Sequence, residues 1–419
     1  MPNPLAALHG LARNPALPVT LLLRLAADDR ITPWDLTARR TWTDEAFDAL
    51  AAHPDPEVRE ALARSPGATG GQRARLAGDL SIRVLQALLE GPPARWSDPL
   101  PGWVHHRLAG HPEPLVRDLL TYLPGTPRDV VATLARDPHP GIADAARALL
   151  DRKPYEPTSL GTGQAVLFAA SDSEWNRERA AADPALPAAW VTTLAADPSP
   201  RVRLAVSQRP ELTEEQRAAI DYPACQDTPL LDWVLAAGPA ELRRCARSAH
   251  PGLRRSAACH PGLPSDLVGA LAADSDPAVR ALLCAYRADV PGDLVLHTYL
   301  DCLPGSADVT GSSGFAGLSS DDLVRHPAFP RTGLARLSSS PDERARALVP
   351  LDPAAPAALI EQLSHDPSAV VRAAAASDPR IPSARLLELL EDPATTAAAA
   401  ANPSLPLPVI ERLMAAAEP

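Results

Sequence analysis

One phrase recurs along almost all of this 419-residue chain: a Pro or Thr, a Leu or Ile seven residues on, and usually an Asp or His ten residues on. Clean copies are Pro18/Leu25/Asp28, Pro127/Leu134/Asp137, Pro187/Leu194/Asp197, Pro264/Leu271/Asp274, Pro356/Leu363/Asp366 and Pro382/Leu389/Asp392. Thr43/Leu50/His53, Thr69/Leu76/Asp79, Pro101/Leu108/His111, Thr213/Ile220, Pro330/Leu337 and Pro406/Leu413 are variants. Neighbouring copies often begin 26 residues apart, as at 101 and 127, 187 and 213, and 330, 356 and 382. A unit that short has no room for a core of its own. It must bury its apolar face on its neighbours, so the chain is expected to form one elongated stack with function on a long surface.

The side chains available for that stack favour helices. Hydrophobic residues make up 46% of the chain but aromatics only 4%, so packing falls to Leu, Ala and Val. The 48 prolines would suggest disorder if scattered; fixed at one place in the repeat, they read as helix starts. A net charge of −11 works against a general grip on phosphate backbones, so nucleic acid is disfavoured as a partner. Among 40 basic residues only Lys153 is a lysine, which, with the abundance of Ala and Pro, suggests a high-GC bacterial coding bias. No stretch approaches the ~18 apolar residues of a membrane span and no signal-like segment opens the chain, so the expectation is a soluble cytoplasmic protein with no membrane partner. Cys225, Cys245, Cys259, Cys284 and Cys302 are odd in number and widely spaced, as for reduced, mostly buried thiols.

Each unit reads as two short helices. In the first, Pro suits an opening turn that needs no N–H, and Thr126-Pro127-Arg128-Asp129 and Thr213-Glu214-Glu215-Gln216 carry capping signals. The second is expected to begin at Asp-Pro or His-Pro and carries an arginine six residues on, as in His53/Arg59, His111/Arg117, Asp197/Arg203, Asp274/Arg280 and Asp366/Arg372. The next Pro follows seven residues later, which limits this helix to two or three turns, some copies with 3₁₀ character.

Phrases such as LAADPSPRVRLAVSQRPEL (194–212) and LSHDPSAVVRAAAASDPRIPSARLLELLEDP (363–393) resemble the leucine-rich repeat variant family and share the Asp-Pro-x-x-Val-Arg segment of HEAT-like repeats. The resemblance covers nearly the whole chain. It implies an all-α, right-handed solenoid of paired short helices, α/α or α/3₁₀. A member of that family carries a cysteine-ligated iron–sulfur cluster ahead of its repeats; no cysteine here precedes residue 225, so no cofactor is expected. Breaks in the period divide the chain into an N-terminal block (1–150), an insertion (151–175), a central block (176–302), a Gly/Ser-rich loop (303–320) and a C-terminal block (321–419).

The arginine series has two readings, an Asp–Arg ladder between adjacent units or a groove for an acidic ligand, and the ladder accounts for both residue types. Arg243, Arg244, Arg247, Arg254 and Arg255 form a denser cluster on the duplicated phrases LRRCARSAHPG and LRRSAACHPG. Arg244 and Arg254 occupy the ladder position, leaving Arg243 and Arg255 as surplus expected to face solvent, and the cluster is the leading partner-binding candidate. Cys245, His250, Cys259 and His260 offer four metal-ligand atoms, though the repeat already explains the histidines as turn residues before Pro. Trp34, Trp103 and Trp190 read as core. Trp175 stands at the edge of the insertion beside Asp172; HEAT-like DNA glycosylases use such a pair on a concave surface, which makes Asp172 and Trp175 the alternative catalytic residues. No G-x-S-x-G elbow, phosphate loop or H-E-x-x-H helix is present, and Gly311 to Gly314 read as a linker.

The expected function is therefore that of a non-enzymatic scaffold binding a protein or peptide, an acidic one if the arginine cluster is the contact. The alternatives are a HEAT-like DNA glycosylase or lesion-binding protein, and a structural subunit of a larger assembly.

Overall fold

A computed structural model describes residues 3–123, 125–151, 159–223, 229–301 and 318–416. Among these the chain is all-helical, with no strand, and no helix is long and apolar enough to cross a membrane. The repeated prolines sit one step earlier than expected, at the N-cap: Pro18, Pro101, Pro127, Pro187, Pro264, Pro356 and Pro382 each precede the first helical residue. The carbonyl of this residue accepts the first helical N–H, so the missing proline donor costs nothing there. Thr213 closes a capping box with Gln216, as Thr69 does with Gln72. Thr126 does not cap; its hydroxyl donates to Leu123 O, and Asp129 turns to His106.

The second helices also start later than expected. Asp197-Pro198 and Asp366-Pro367 lie in the preceding turn, and the helices Pro200–Ser207 and Ala369–Ala376 begin after N-cap Ser199 and Ser368. In that turn Asp197 Oδ1 accepts the Ser199 N–H at 2.8 Å, and Asp366 Oδ1 accepts the Ser368 N–H at 2.8 Å. His53 and His111 make the same turn through Nδ1, which explains why His substitutes for Asp before Pro. The 3₁₀ segments lie at Ala74–Gly78, Leu334–Ser339 and Val349–Leu351, while the second helices are α-helical.

The described residues divide into two compact units, Met1–Arg152 with Pro330–Pro419, and Lys153–Phe329. In the first, second helices pack side by side in a row whose spatial order differs from chain order. Glu343–Ala347, Ala369–Ala376 and Thr396–Ala400 come first; Pro4–Arg13 packs directly on Thr396–Ala400, and Pro33–Thr37, Pro56–Ala63, Ile82–Glu90, Pro114–Tyr122 and Pro140–Asp151 follow. The N-terminal and C-terminal blocks, read from the sequence as the two end blocks of one stack, share one apolar core running from Ala7 to Ala146 and from Val349 to Met414.

The joint between the two ends repeats the internal pattern. Asn402 Nδ2 donates to Ala376 O and Asp378 O of the preceding repeat, both at 2.7 Å. Asn14 Nδ2 donates in the same way to Ala400 O at 3.1 Å and Asn402 O at 2.8 Å, with no covalent link between the repeats involved. Gly10 permits the approach: a Cβ there would lie 2.3 Å from Ala397 O and 2.6 Å from the Ala400 Cβ.

The second unit contains two helical groups. In the first, Glu174–Ala182 packs on Pro200–Ser207, and the apolar cluster that begins at Ala165 ends at Ile220. In the second, Asp232–Leu235 packs on Pro251–Ala258, which packs on Pro277–Tyr286. Trp190 is half-buried in the first cluster as expected, whereas Trp34 and Trp103, also expected in the core, are 53% and 51% exposed. Most of the Gly/Ser-rich loop, part of the 151–175 insertion, Cys225 and Cys302 lie outside the described residues.

Candidate functional site

Arginines six residues after the Asp, His or Ser that opens a turn form a ladder. Arg117 is representative: Nε and Nη2 donate to the two Asp137 oxygens at 2.7 and 3.0 Å, and Nη1 donates to His111 O at 2.8 Å and Pro112 O at 3.1 Å. Arg59–Asp79, Arg177–Asp197, Arg254–Asp274 and Arg346–Asp366 repeat this bidentate pairing, and Arg372 reaches Asp392 through Nη2. Each pair spans 20 residues, from one second helix to the turn before the next. The Arg117 guanidinium holds the Asp137 carboxyl below the usual carboxylate range, and Asp137 in turn raises Arg117. These side chains are committed to joining repeats and are not available to a ligand.

Among the described residues the rung fails at Arg280, which stands 3.6 Å from the exposed Asp301 carboxylate, and at Arg203. Arg203 has no Asp 20 residues on; Nε donates to the main-chain oxygen of Asp221, whose carboxylate is 98% exposed and 3.6 Å from Nη2. Beyond this point polar contacts join the two helical groups. Glu214 accepts from Ser248 Oγ at 2.9 Å and from the Ala249 N–H at 3.0 Å. Trp233 Nε1 donates to Gln208 O at 3.1 Å. His250 is 1% exposed and stacks on Tyr222 with ring centroids 4.5 Å apart. Its Nδ1 accepts the Gly252 N–H at 3.0 Å, so the proton sits on Nε2, which faces Ser207 Oγ at 3.0 Å. Burial and the facing Arg217, Arg254 and Arg255 push the imidazole down to about 4.

Along this polar seam lies an open cleft of about 460 Å³. Pro210, Leu212, Trp233 and Leu253 supply its apolar surface, and Arg217, Arg243, Arg244 and Arg247 its positive side chains. The capping box at Thr213 starts the short helix Glu214–Ala218 and so places Glu214 and Arg217; the helix Pro239–Ala246 presents Arg243 and Arg244. Arg217 side-chain exposure is 5%, and its Nη groups donate to Ser207 O and Arg209 O. Its Nε has no hydrogen-bond partner, the Glu214 carboxylate standing 3.5 Å away.

The structure separates the five arginines singled out in the sequence. Arg243, Arg244 and Arg247 line the cleft. Arg254 is a ladder rung, and Arg255, expected to face solvent, is buried with Nε 2.7 Å from Asp276 Oδ2. Arg244, expected as a rung, is instead exposed and meets Glu241 on its own helix at 3.1 Å. Arg243 pairs with Asp266, and Arg247 has no ion-pair partner among the described residues. Arg217, Glu214 and Trp233 are the residues that sequence reasoning passed over. The signal for them was the compressed spacing after Ile220, which denies the Glu214–Ala218 helix a regular successor.

Among the described residues no three His, Cys, Asp or Glu side chains are gathered as for a metal ion. Of the proposed ligand set, His250 and His260 each spend Nδ1 on a turn N–H, and Cys245 is buried, its thiol pushed up to about 11 mainly by desolvation. Trp175 is 59% exposed with the Arg179 guanidinium 4.8 Å over its ring, and Asp172, also exposed, accepts from Arg177 through its main-chain oxygen. No protein-family model and no curated protein matches the chain.

Proposed function

We propose that this chain is a cytoplasmic, bacterial α-solenoid, a right-handed superhelix of units of about 26 residues akin to the leucine-rich repeat variant and HEAT-like repeats, and that it acts as a non-enzymatic scaffold for a protein or peptide partner. The observation that carries this reading is the ladder. It ties successive units by one recurring device and commits most of the arginines at the repeat position, while Arg244 and Arg247 in the irregular stretch of the second unit stand outside it. The buried Cys245, Cys259 and Cys284 fit a reducing compartment.

The test is affinity capture on the full-length chain from nuclease-treated native lysate, followed by rebinding of the purified candidate. A discrete protein that rebinds in stoichiometric amount supports the scaffold. Recovery of nothing, or only of nuclease-sensitive material, overturns it and directs the work to damaged DNA and to the Asp172/Trp175 alternative.

A further inference from the structure

Resting on the scaffold reading, we infer that the cleft between the Glu214–Ala218 and Pro239–Ala246 helices binds an acidic peptide segment in which a carboxylate side chain lies next to an apolar one. Most charges around the cleft are already answered. Glu211 is taken by Arg209, Glu214 by Ser248, Ala249 and Arg217, and Arg243 by Asp266. What remains is positive: Arg247 without an ion-pair partner among the described residues, Arg244 held only by an exposed pair within its own helix, and the buried Arg217, whose Nε–H makes no hydrogen bond and stands 3.5 Å from Glu214. Guanidinium groups take a carboxylate through paired N–H donors, and the interaction strengthens where one donor is already desolvated.

The apolar surface specifies the neighbour of that carboxylate. Trp233 spends its N–H on Gln208 O, so what it offers the cleft is the ring, beside Leu212 and Leu253. A volume of about 460 Å³ takes a few side chains rather than a folded domain. Glu211, Glu214 and Glu241 also line the space, and their charge penalises a phosphate dianion more than a carboxylate monoanion.

The experiment is selection of a displayed random-peptide library on the full-length protein, with Arg244→Glu/Arg247→Glu as the comparison. Both arginines are exposed, so the thermal midpoint of the variant should match wild type and certify its fold. Selected peptides should set Asp or Glu beside a large apolar residue. A synthetic copy should bind the variant at least about tenfold more weakly, and should lose affinity when its acidic residue is changed to phosphoserine or to the neutral amide. No enrichment, selected peptides without acidic residues, equal binding to the variant, or tighter binding of the phosphorylated copy would each overturn the assignment. Failure here with a partner still captured places binding on another surface, whereas failure of the capture removes the scaffold reading itself.

Discussion

The joint of Asn14 with Ala400 and Asn402 and the seam between Ile220 and His250 invert what chain connectivity suggests. At the joint there is no covalent link, yet an apolar core runs through it and the Asn-to-carbonyl clasp is the one used between Asn402 and its own preceding repeat. At the seam the repeats belong to one stretch of chain, yet the apolar cluster stops, the ladder loses its rung at Arg203, and Glu214, Trp233 and His250 make the crossing with hydrogen bonds. Regularity in this molecule comes from the chemistry of the facing surfaces. Chain continuity contributes little, because each unit needs only a neighbour with a matching face.

The largest expected effect tests whether the ladder differs between the regular and irregular regions. Arg117→Ala should destabilise its unit by about 4 kcal/mol, since it leaves a carboxylate buried without its cation. Arg203→Ala should lose only about 1 kcal/mol, because its carboxylate partner is in water. Urea unfolding of the two variants compares them directly, and equal losses would mean that the rung at the seam is not weaker.

Gly10→Val probes the joint. Its side chain would press on the backbone at Ala397, and a loss of about 3 kcal/mol is expected. Gly163→Val, in open space on its helix, should be neutral or gain roughly a few tenths of a kcal/mol by calorimetry. The comparison fails if the two substitutions cost the same.

Acid should act on the seam through His250. Its folded pKa lies near 4 against an ordinary 6.5, so the unfolded chain takes the proton first. Stability is therefore complete above pH 6.5 and falls as the pH drops towards 4, by about 2 kcal/mol at pH 5. His250→Asn keeps a capping acceptor without a titrating ring, and denaturation at pH 7.5 and 5 should show a smaller pH dependence for it. An unchanged dependence would assign the acid response to other groups.

Much of this was legible because it is local. Prolines, Thr213 with Gln216, and Leu or Ile at the seventh position announce where helices begin and which side they bury. The ladder was visible as arginines at constant distance from Asp or His, and its true partner is encoded too: Asp79, Asp137, Asp197, Asp274, Asp366 and Asp392 each stand 20 residues after an Arg, whereas His53 and His111 do not. Arg255 was misread because its partner, Asp276, lies 21 residues on and outside that frame. The exposure of Trp34 and Trp103 was hidden by a composition so poor in aromatics that each one suggests core. The joint of the first and last repeats was illegible for a deeper reason. A repeat carries the same faces wherever it stands, so its sequence does not say which copy it will meet. The cleft was half legible: its arginines stood out, but Arg217, Glu214 and Trp233 lie where the repeat spacing is compressed, and their convergence is set by packing between helices that the repeat pattern does not name.

The clasp at Asn14 also sets an order of events during synthesis. Its two sides are separated by 386 positions. At about 5–20 residues per second, roughly 20–80 s pass between the emergence of one side and the arrival of the other. Throughout that interval Ala7, Leu8 and Leu11 lack the C-terminal part of their cover. Ribosome-bound chains halted before residue 330 should accordingly be cut by protease within the Pro4–Arg13 helix, and completed chains should resist. Until the Thr396–Ala400 helix arrives, the Pro4–Arg13 helix presents apolar side chains of the kind that holding chaperones cover.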